Sequence, residues 1–248
     1  MNDLSYLILE YRNFEGNINA NAIGIFDIML KKMLKYILLI VLMTNAVVLS
    51  AQIPSAENIL KKAIQYHDPE NQWSRFSHEM TFVSERPDGP DRNSVVTIDN
   101  NRGFFSLKEN NNDMEIVMED CKVIPDGKTC DQVKRTRNYY LYLWGLPMKL
   151  MDKGTTLSSV VKEEKFNERD CYVLRVDYDQ DVWFYYIDKS SNAMIGYMFY
   201  KDEPNQKGEV IYLDGEVKID QMRIPKTRKW YTTPDNKFLG TDILISSK

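Results

Sequence analysis

The chain has 248 residues and a formal net charge of −4, with 43% hydrophobic and 12% aromatic residues. This length allows one large domain or two small ones, and the apolar content is sufficient for a packed core. The negative balance excludes a general nucleic-acid-binding protein, which needs a basic face.

Residues 33–51 have the layout of a secretory signal peptide, with a basic start, an apolar run and a small-residue end at Ser50-Ala51. The alternative is a membrane anchor, but the run at 36–51 is shorter than the roughly 20 residues that a span needs. No Cys stands directly after the run, as a lipid-anchored N-terminus would require. We therefore predict that the signal peptide is cleaved and that no lipid anchor is attached. The protein is then expected to be periplasmic or secreted and to contact membranes only transiently.

Residues 1–32 precede this predicted signal peptide. A signal peptide normally begins within a few residues of the initiator Met, so we interpret 1–32 as an extension from a start site assigned too far upstream. The remaining residues, 52–248, contain no internal repeat and no linker. They are predicted to form a single domain.

A first helix is predicted at residues 55–67. Ser55 is a favourable N-cap, and apolar residues then recur at helical spacing. Asp68-Pro69 ends the pattern, because the residue before a proline is disfavoured in a helix. One apolar stripe of this helix should lie on a sheet.

A second, aromatic helix is predicted at residues 130–144. Thr129 and Gln132 have the spacing of a capping box. Gly145 suits a left-handed position after the last turn, and Pro147 prevents the helix from continuing.

Most of the remaining chain alternates apolar and polar residues with a period of two, which indicates strands joined by short antiparallel turns. Two predicted strands, 183–187 and 195–200, are apolar on both faces. A sheet with one solvated face should alternate, so both faces need cover. One face can take a helix, and the other should face a cavity or a partner. The candidate strands are 76–82, 95–98, 104–107, 114–118, 158–166, 172–178, 182–187, 193–200, 209–219, 222–231 and 238–245.

Export permits disulfides, and Cys121 and Cys130 flank a Pro-Asp-Gly turn that brings their chain ends together. We predict a Cys121–Cys130 bridge. The alternative is three buried thiols, with Cys171 as the third. No pair of cysteines has the spacing of a zinc site, so no metal is predicted.

The sequence offers few residues for catalysis. His67 and His78 are its only histidines, and no Gly-x-Ser-x-Gly, His-Glu-x-x-His or phosphate-binding loop is present. We therefore predict no enzymatic activity, no catalytic residue and no cofactor.

Cationic side chains precede the aromatic run at 139–144, including Arg135 and Arg137. They are interpreted either as a collar for an anionic head group or as a solvated helix face. Arg228, in a predicted strand, is interpreted with its neighbouring lysines as protection of a sheet edge. The predicted ligand-binding residues are Arg135, Arg137, Tyr140, Trp144, Leu146, Met148, Trp183, Tyr185, Tyr197 and Phe199.

Three motifs carry a resemblance to a known group: YHDP at 66–69, NYYLYLWGLPMKL at 138–150 and KFLGTD at 237–242. With them the chain resembles a family of secreted, uncharacterised bacterial proteins. More distantly, the order of helices and strands is similar to the periplasmic lipoprotein-carrier (LolA/LolB-like) fold. This resemblance implies a mainly β (α+β) fold, in which helices cover the concave face of a strongly curved antiparallel sheet or incomplete β-barrel. It transfers no functional residue to this chain.

These observations favour a non-enzymatic periplasmic protein that binds an apolar ligand, a lipid or an acylated peptide, in the cavity of a curved sheet. The doubly apolar strands and the aromatic helix motivate this hypothesis. Two alternatives stay open. One is an envelope module that binds a protein partner, and the other is a hydrolase with no recognisable motif.

Overall fold

The computed structural model describes residues 27–38 and 53–248. Residues 27–38 form a helix with exposed side chains, in a separate unit from the compact unit Pro54–Lys248. Most of the predicted signal peptide, at 39–51, lies outside the described residues, so its cleavage stays a prediction. In the described ranges, no helix has both the length and the apolar character that a membrane crossing requires.

The unit Pro54–Lys248 is built on one antiparallel sheet of twelve strands in the order β5-β4-β3-β2-β1-β12-β11-β10-β9-β8-β7-β6. The first and last strands pair at its centre, and β5 and β6 are its two free edges, so the sheet is open. The strands are β1 Ser77–Glu85, β2 Arg92–Asp99, β3 Phe104–Lys108, β4 Met114–Val117, β5 Asp120–Val123, β6 Lys162–Phe166, β7 Arg169–Asp177, β8 Val182–Asp188, β9 Met194–Asp202, β10 Lys207–Ile219, β11 Met222–Thr233 and β12 Phe238–Ser247. The prediction of a mainly β fold with an incomplete barrel is confirmed.

Two α-helices cover one face of this sheet, here called the inner face. They are α1, Ala56–His67, and α2, Cys130–Trp144. Short 3-10 turns follow each helix, at Trp73–Arg75 and Met148–Met151. Apolar side chains of both helices join those of the inner face in one buried cluster.

Side-chain caps fix where the helices begin. Ser55 Oγ accepts a hydrogen bond from the Asn58 N–H (3.3 Å) at the start of α1. At α2 both bonds of the predicted capping box are present, between Thr129 and Gln132. Both helices therefore begin and end close to their predicted bounds.

Gly145 corrects one expectation about the end of α2. Its φ of −89° lies in the right-handed region, so no left-handed cap forms. The chain instead continues into the next turn, where the Lys149 N–H donates to the Gly145 carbonyl (2.9 Å). A Cβ at Gly145 would lie 2.4 Å from the Trp73 ring, so close packing requires the glycine.

The outer face of the doubly apolar strands, where a cavity or a partner was expected, is covered by side chains of the chain itself. Phe184, Tyr186 and Ile195 form a second buried cluster there. Phe166, at the end of edge strand β6, lies on this cluster with its ring 4.0 Å from that of Tyr186. The chain covers both faces of these strands with its own side chains.

Candidate functional site

The aromatic helix α2 is packed into the inner face through Trp144, which is 2% exposed. The Trp144 ring centroid lies 4.4 Å from that of Phe82 on β1. Tyr140, one turn earlier, lies near both Phe82 (5.9 Å) and Phe105 (6.0 Å). These rings hold one side of α2 against β1 and β3, so α2 acts as a plug.

A second side of α2 is held by hydroxyl groups. The Tyr142 hydroxyl bonds to those of Tyr178 (2.8 Å) and Tyr185. Tyr185 is fully buried on β8. Burial raises the pKa of the Tyr142 hydroxyl, and the bond to Tyr178 raises it further. Burial likewise raises the pKa of Tyr185, so the hydroxyls of Tyr142 and Tyr185 stay neutral and serve as structural hydrogen-bonding groups.

Arg228 lies beneath the end of α2 and is fully buried. Its Nη2 donates to the Leu143 carbonyl (3.1 Å), its Nη1 donates to Pro225 (3.2 Å), and its guanidinium lies 3.4 Å from the Trp144 ring centroid. Its strand, β11, is interior to the sheet. The interpretation of Arg228 as edge protection is therefore wrong; it supports the C-terminus of α2, where cations are favourable.

Cys121 and Cys130 are disulfide-bonded in the structure, with Cα atoms 5.8 Å apart. The bond joins edge strand β5 to the first residue of α2. Cys171 is a buried free thiol. The N-terminal end of α2 is therefore held covalently, and its C-terminal end is held by Arg228.

Several predicted ligand-binding residues lie in this packed core. Leu146, Tyr185, Tyr197 and Phe199 are each at most 8% exposed. Trp183 is half-buried and lies against the ring of Phe199 (4.7 Å). The space beneath α2, where the ligand was expected, is filled by these side chains.

Arg137 is also occupied. Its Nη1 donates to the Met118 carbonyl (2.7 Å) and lies 3.1 Å from a carboxylate oxygen of Glu119. The structure therefore favours a packing role for Arg137. Arg135 is exposed.

Two of the clefts that border α2 contain the remaining predicted residues. The helix–sheet cleft, of about 400 Å³, lies between α2 and strands β1 to β4 and β12. Arg135, Tyr140 and Trp144 line it. The α1 cleft, of about 1150 Å³, lies between α1, the turn Met148–Met151 and residues 155–157. Met148 lines this second cleft.

Of the residues that line the α1 cleft, only Met148 was predicted from the sequence to bind a ligand. Its apolar lining includes Leu60, Ile64, Met151 and Leu157. Met151 is 70% exposed, although it follows an apolar run. One feature of the sequence pointed to this cleft. The apolar residues at 146–151 continue beyond Pro147, which is sufficient by itself to end the helix.

The geometry of the two histidines does not assemble a catalytic group. His67 is buried, with Nδ1 2.7 Å from the Arg223 carbonyl and Nε2 3.0 Å from the Met194 N–H. His78 lies 2.9 Å from the Asp220 carboxylate. Within residues 27–38 and 53–248, no three Asp, Glu, His or Cys side chains are grouped so that they could hold a metal ion.

Comparison with protein families gives one match. The model of a family of unknown function (DUF6503) matches residues 31–247. No curated protein matches the chain.

Several solved structures are similar to the chain. A LolA superfamily protein from Nitrosomonas europaea is 12% identical, with a TM-score of 0.49 over 79% of this chain and 93% of that one. A putative outer membrane lipoprotein-sorting protein domain from Vibrio parahaemolyticus is 12% identical, with a TM-score of 0.46 over 78% and 92%. A DUF1329 family protein from Desulfovibrio piger is 10% identical, with a TM-score of 0.49 over 77% and 92%. These likenesses concern the fold alone.

Proposed function

The chain belongs to a family of unknown function (DUF6503), and we propose that this member is a non-enzymatic periplasmic protein that binds an apolar ligand in the α1 cleft. The ligand class is a lipid or an acylated peptide. The observation that carries the proposal is a cleft of about 1150 Å³ whose lining is mostly apolar.

The apolar lining comes from three separate segments. Leu60 and Ile64 lie on α1, Met148 and Met151 lie on the turn after α2, and Leu157 follows them. Ligand sites are typically concave and mostly apolar, and this cleft has the size of such a site. Burial of ten acyl methylenes there would contribute roughly 8 kcal/mol before the costs of ordering.

Charged groups lie in exposed positions around this lining. Glu57 and Lys61 are exposed on α1, and Asp152 is exposed beyond the turn, where it pairs with Lys149. Leu60 and Leu150 are nearly fully buried. This arrangement suits an amphiphile whose chain enters the cleft and whose polar end stays in water.

The packing of the inner core supports the α1 cleft, rather than the space beneath α2, as the location of the ligand. Tyr185 and Tyr197 have no exposed surface, and Trp144 is packed against Phe82. A ligand beneath α2 would have to displace the whole helix, which the disulfide and Arg228 oppose. The α1 cleft needs no such displacement.

The experiment is a fluorescence titration of the purified protein with the uncharged probe N-phenyl-1-naphthylamine. We expect saturable binding that Met151→Glu weakens about tenfold, because the substitution replaces apolar contact surface of the cleft with a hydrated charge. Val160→Glu is the matched control, since Val160 is similarly exposed (65%) but lies outside the cleft. Equal binding by both variants would contradict the location.

Mass spectrometry of protein purified from its native host tests the ligand class. We expect co-purified lipid or acylated peptide in the wild type and less in Met151→Glu. Consistently empty protein, together with no binding of the probe, would overturn the proposal. Recovery of one stoichiometric protein partner instead would favour an envelope interaction module.

A further inference from the structure

The helix–sheet cleft is a second concave site that the proposed function does not use. Its aromatic lining is Phe82, Tyr139, Tyr140 and Trp144. The ring centroid of Phe82 lies 5.9 Å from that of Tyr140 and 4.4 Å from that of Trp144. Its volume of about 400 Å³ is at the small end of ligand sites, which suits a ring-sized molecule rather than a long chain.

The two carboxylates of this cleft already have partners. Asp242 accepts hydrogen bonds from the Ser84 hydroxyl (2.7 Å) and the Trp230 indole N–H (2.9 Å). Glu109 lies 3.4 Å from Nε of Arg92. Neutral donors leave the charge of Asp242 in place, so it counts against the cations of the cleft, whereas the charge of Glu109 is paired with that of Arg92.

The cations of the cleft are more numerous, and two of them are unpaired. Lys128, Arg135 and Arg92 line it, against the two carboxylates Asp242 and Glu109. Among residues 27–38 and 53–248, no carboxylate lies within ion-pair distance of Lys128 or Arg135. The cleft therefore has a local positive balance in a chain whose net charge is −4.

A buried cation adds to this balance from behind the aromatic lining. Arg228 has no exposed surface, and its guanidinium lies 3.4 Å from the ring of Trp144, which lines the cleft. Its Nε has no hydrogen-bond partner, and no described carboxylate is in ion-pair range. Arginine stays protonated in proteins, so this charge persists and is poorly compensated.

We propose that the helix–sheet cleft binds a small monoanion with a flat apolar ring body. The ring lies on Tyr139 and Tyr140, which are more exposed than Phe82 and Trp144, and the anionic group lies toward Arg135 and Lys128. The capping box and the Cys121–Cys130 bond fix the start of α2, so the backbone that carries Arg135 is in place before the ligand arrives. This site is independent of the apolar ligand in the α1 cleft.

Two fluorescent probes separate the sites. 8-Anilino-1-naphthalenesulfonate carries a sulfonate, and N-phenyl-1-naphthylamine has the same rings without it. Reversal of one charge near the sulfonate in Arg135→Glu should weaken binding of the sulfonate probe about tenfold. Binding of the uncharged probe should not change.

Lys134→Glu is the matched control. It makes the same charge change one residue earlier on α2, where Lys134 faces Glu119 (3.2 Å) and does not line the cleft. We expect it to leave both probes unaffected. Equal weakening by both reversals, or no weakening in Arg135→Glu, would overturn the site. Circular dichroism verifies that each variant is folded.

Displacement of the sulfonate probe tests the ring. We expect 1-naphthoate to displace it at lower concentration than decanoate, and the reverse order would overturn the flat-ring ligand class. Failure of the uncharged probe to bind would count against the proposed function alone, because the Arg135-dependent sulfonate binding stands without it.

Discussion

His67 Nε2 accepts a hydrogen bond from the backbone N–H of Met194 (3.0 Å), which ties the last residue of α1 to β9. The other ring nitrogen, Nδ1, lies 2.7 Å from the Arg223 carbonyl on β11. Both bonds form only when the imidazole is neutral with its proton on Nδ1. Protonation would place a second N–H against the Met194 N–H.

The first prediction concerns acid sensitivity. Burial lowers the pKa of His67 in the folded protein, and the nearby Arg228 and Arg223 charges contribute, although Glu216 opposes them. A histidine with a lowered folded pKa stabilises the protein above its unfolded pKa, roughly 6.5. That contribution is lost as the pH falls below this value. Urea unfolding should therefore give a smaller free energy of unfolding at pH 5.5 than at pH 7.5.

His67→Gln should have a flatter dependence over this range, because Gln does not titrate. His78→Gln is measured alongside as a histidine replacement away from α1, on β1, where His78 lies 2.9 Å from the Asp220 carboxylate. If the free energy of unfolding of His67→Gln depends on pH as steeply as that of the wild type, other groups cause the acid sensitivity.

A second prediction concerns Arg228. Arg228→Ala should lower the free energy of unfolding by about 3 kcal/mol, because it leaves a cavity under Trp144 and removes the donor to Leu143. Arg228→Met should cost less, since Met fills the space and removes a buried charge. Urea unfolding measures both. If Met costs as much as Ala, the guanidinium hydrogen bonds dominate over packing.

The third prediction concerns the outer cluster. A Cβ at Gly196 would lie 2.2 Å from a ring carbon of Phe166, so Gly196→Ala must displace this ring. We expect a loss of about 1–3 kcal/mol in thermal or urea unfolding. Gly89→Ala is the control, because no atom lies within 4 Å of its added Cβ. Equal stability of the two variants would show that Phe166 does not seal this face.

The fourth prediction concerns the disulfide. The Cys121–Cys130 bond closes a loop with a sequence separation of 9. In the chain-entropy description, such a loop contributes about 2–3 kcal/mol. Dithiothreitol should lower the unfolding midpoint of the wild type and leave that of a Cys121→Ser/Cys130→Ser double variant unchanged. A shift in the double variant would trace the effect to Cys171 or to the reagent.

Local features were predictable from the sequence because neighbouring residues determine them. The caps at Ser55 and Thr129 placed both helices, and the period of two placed most strands. Strand β5 was missed, since its four residues, Asp120–Val123, are too few for their alternation to indicate a strand.

Long-range pairing was not predictable. The edge interpretation of Arg228 failed because β11 pairs with β10 on one side and with β12 on the other, which places it inside the sheet. The α1 cleft is assembled from segments that lie far apart in the chain, around Ile64 and Met151. The close approach of Trp73 to Gly145 likewise depends on tertiary packing.

The charges on the free edge strand β6 bear on whether two copies of the sheet can pair through it. Its first four residues, Lys162, Glu163, Glu164 and Lys165, are all exposed and read the same in both directions. If two copies met edge to edge in a centred antiparallel register, Lys would oppose Lys and Glu would oppose Glu. Like charges in such positions are destabilising. This sequence therefore disfavours the pairing of two β6 edges in that register.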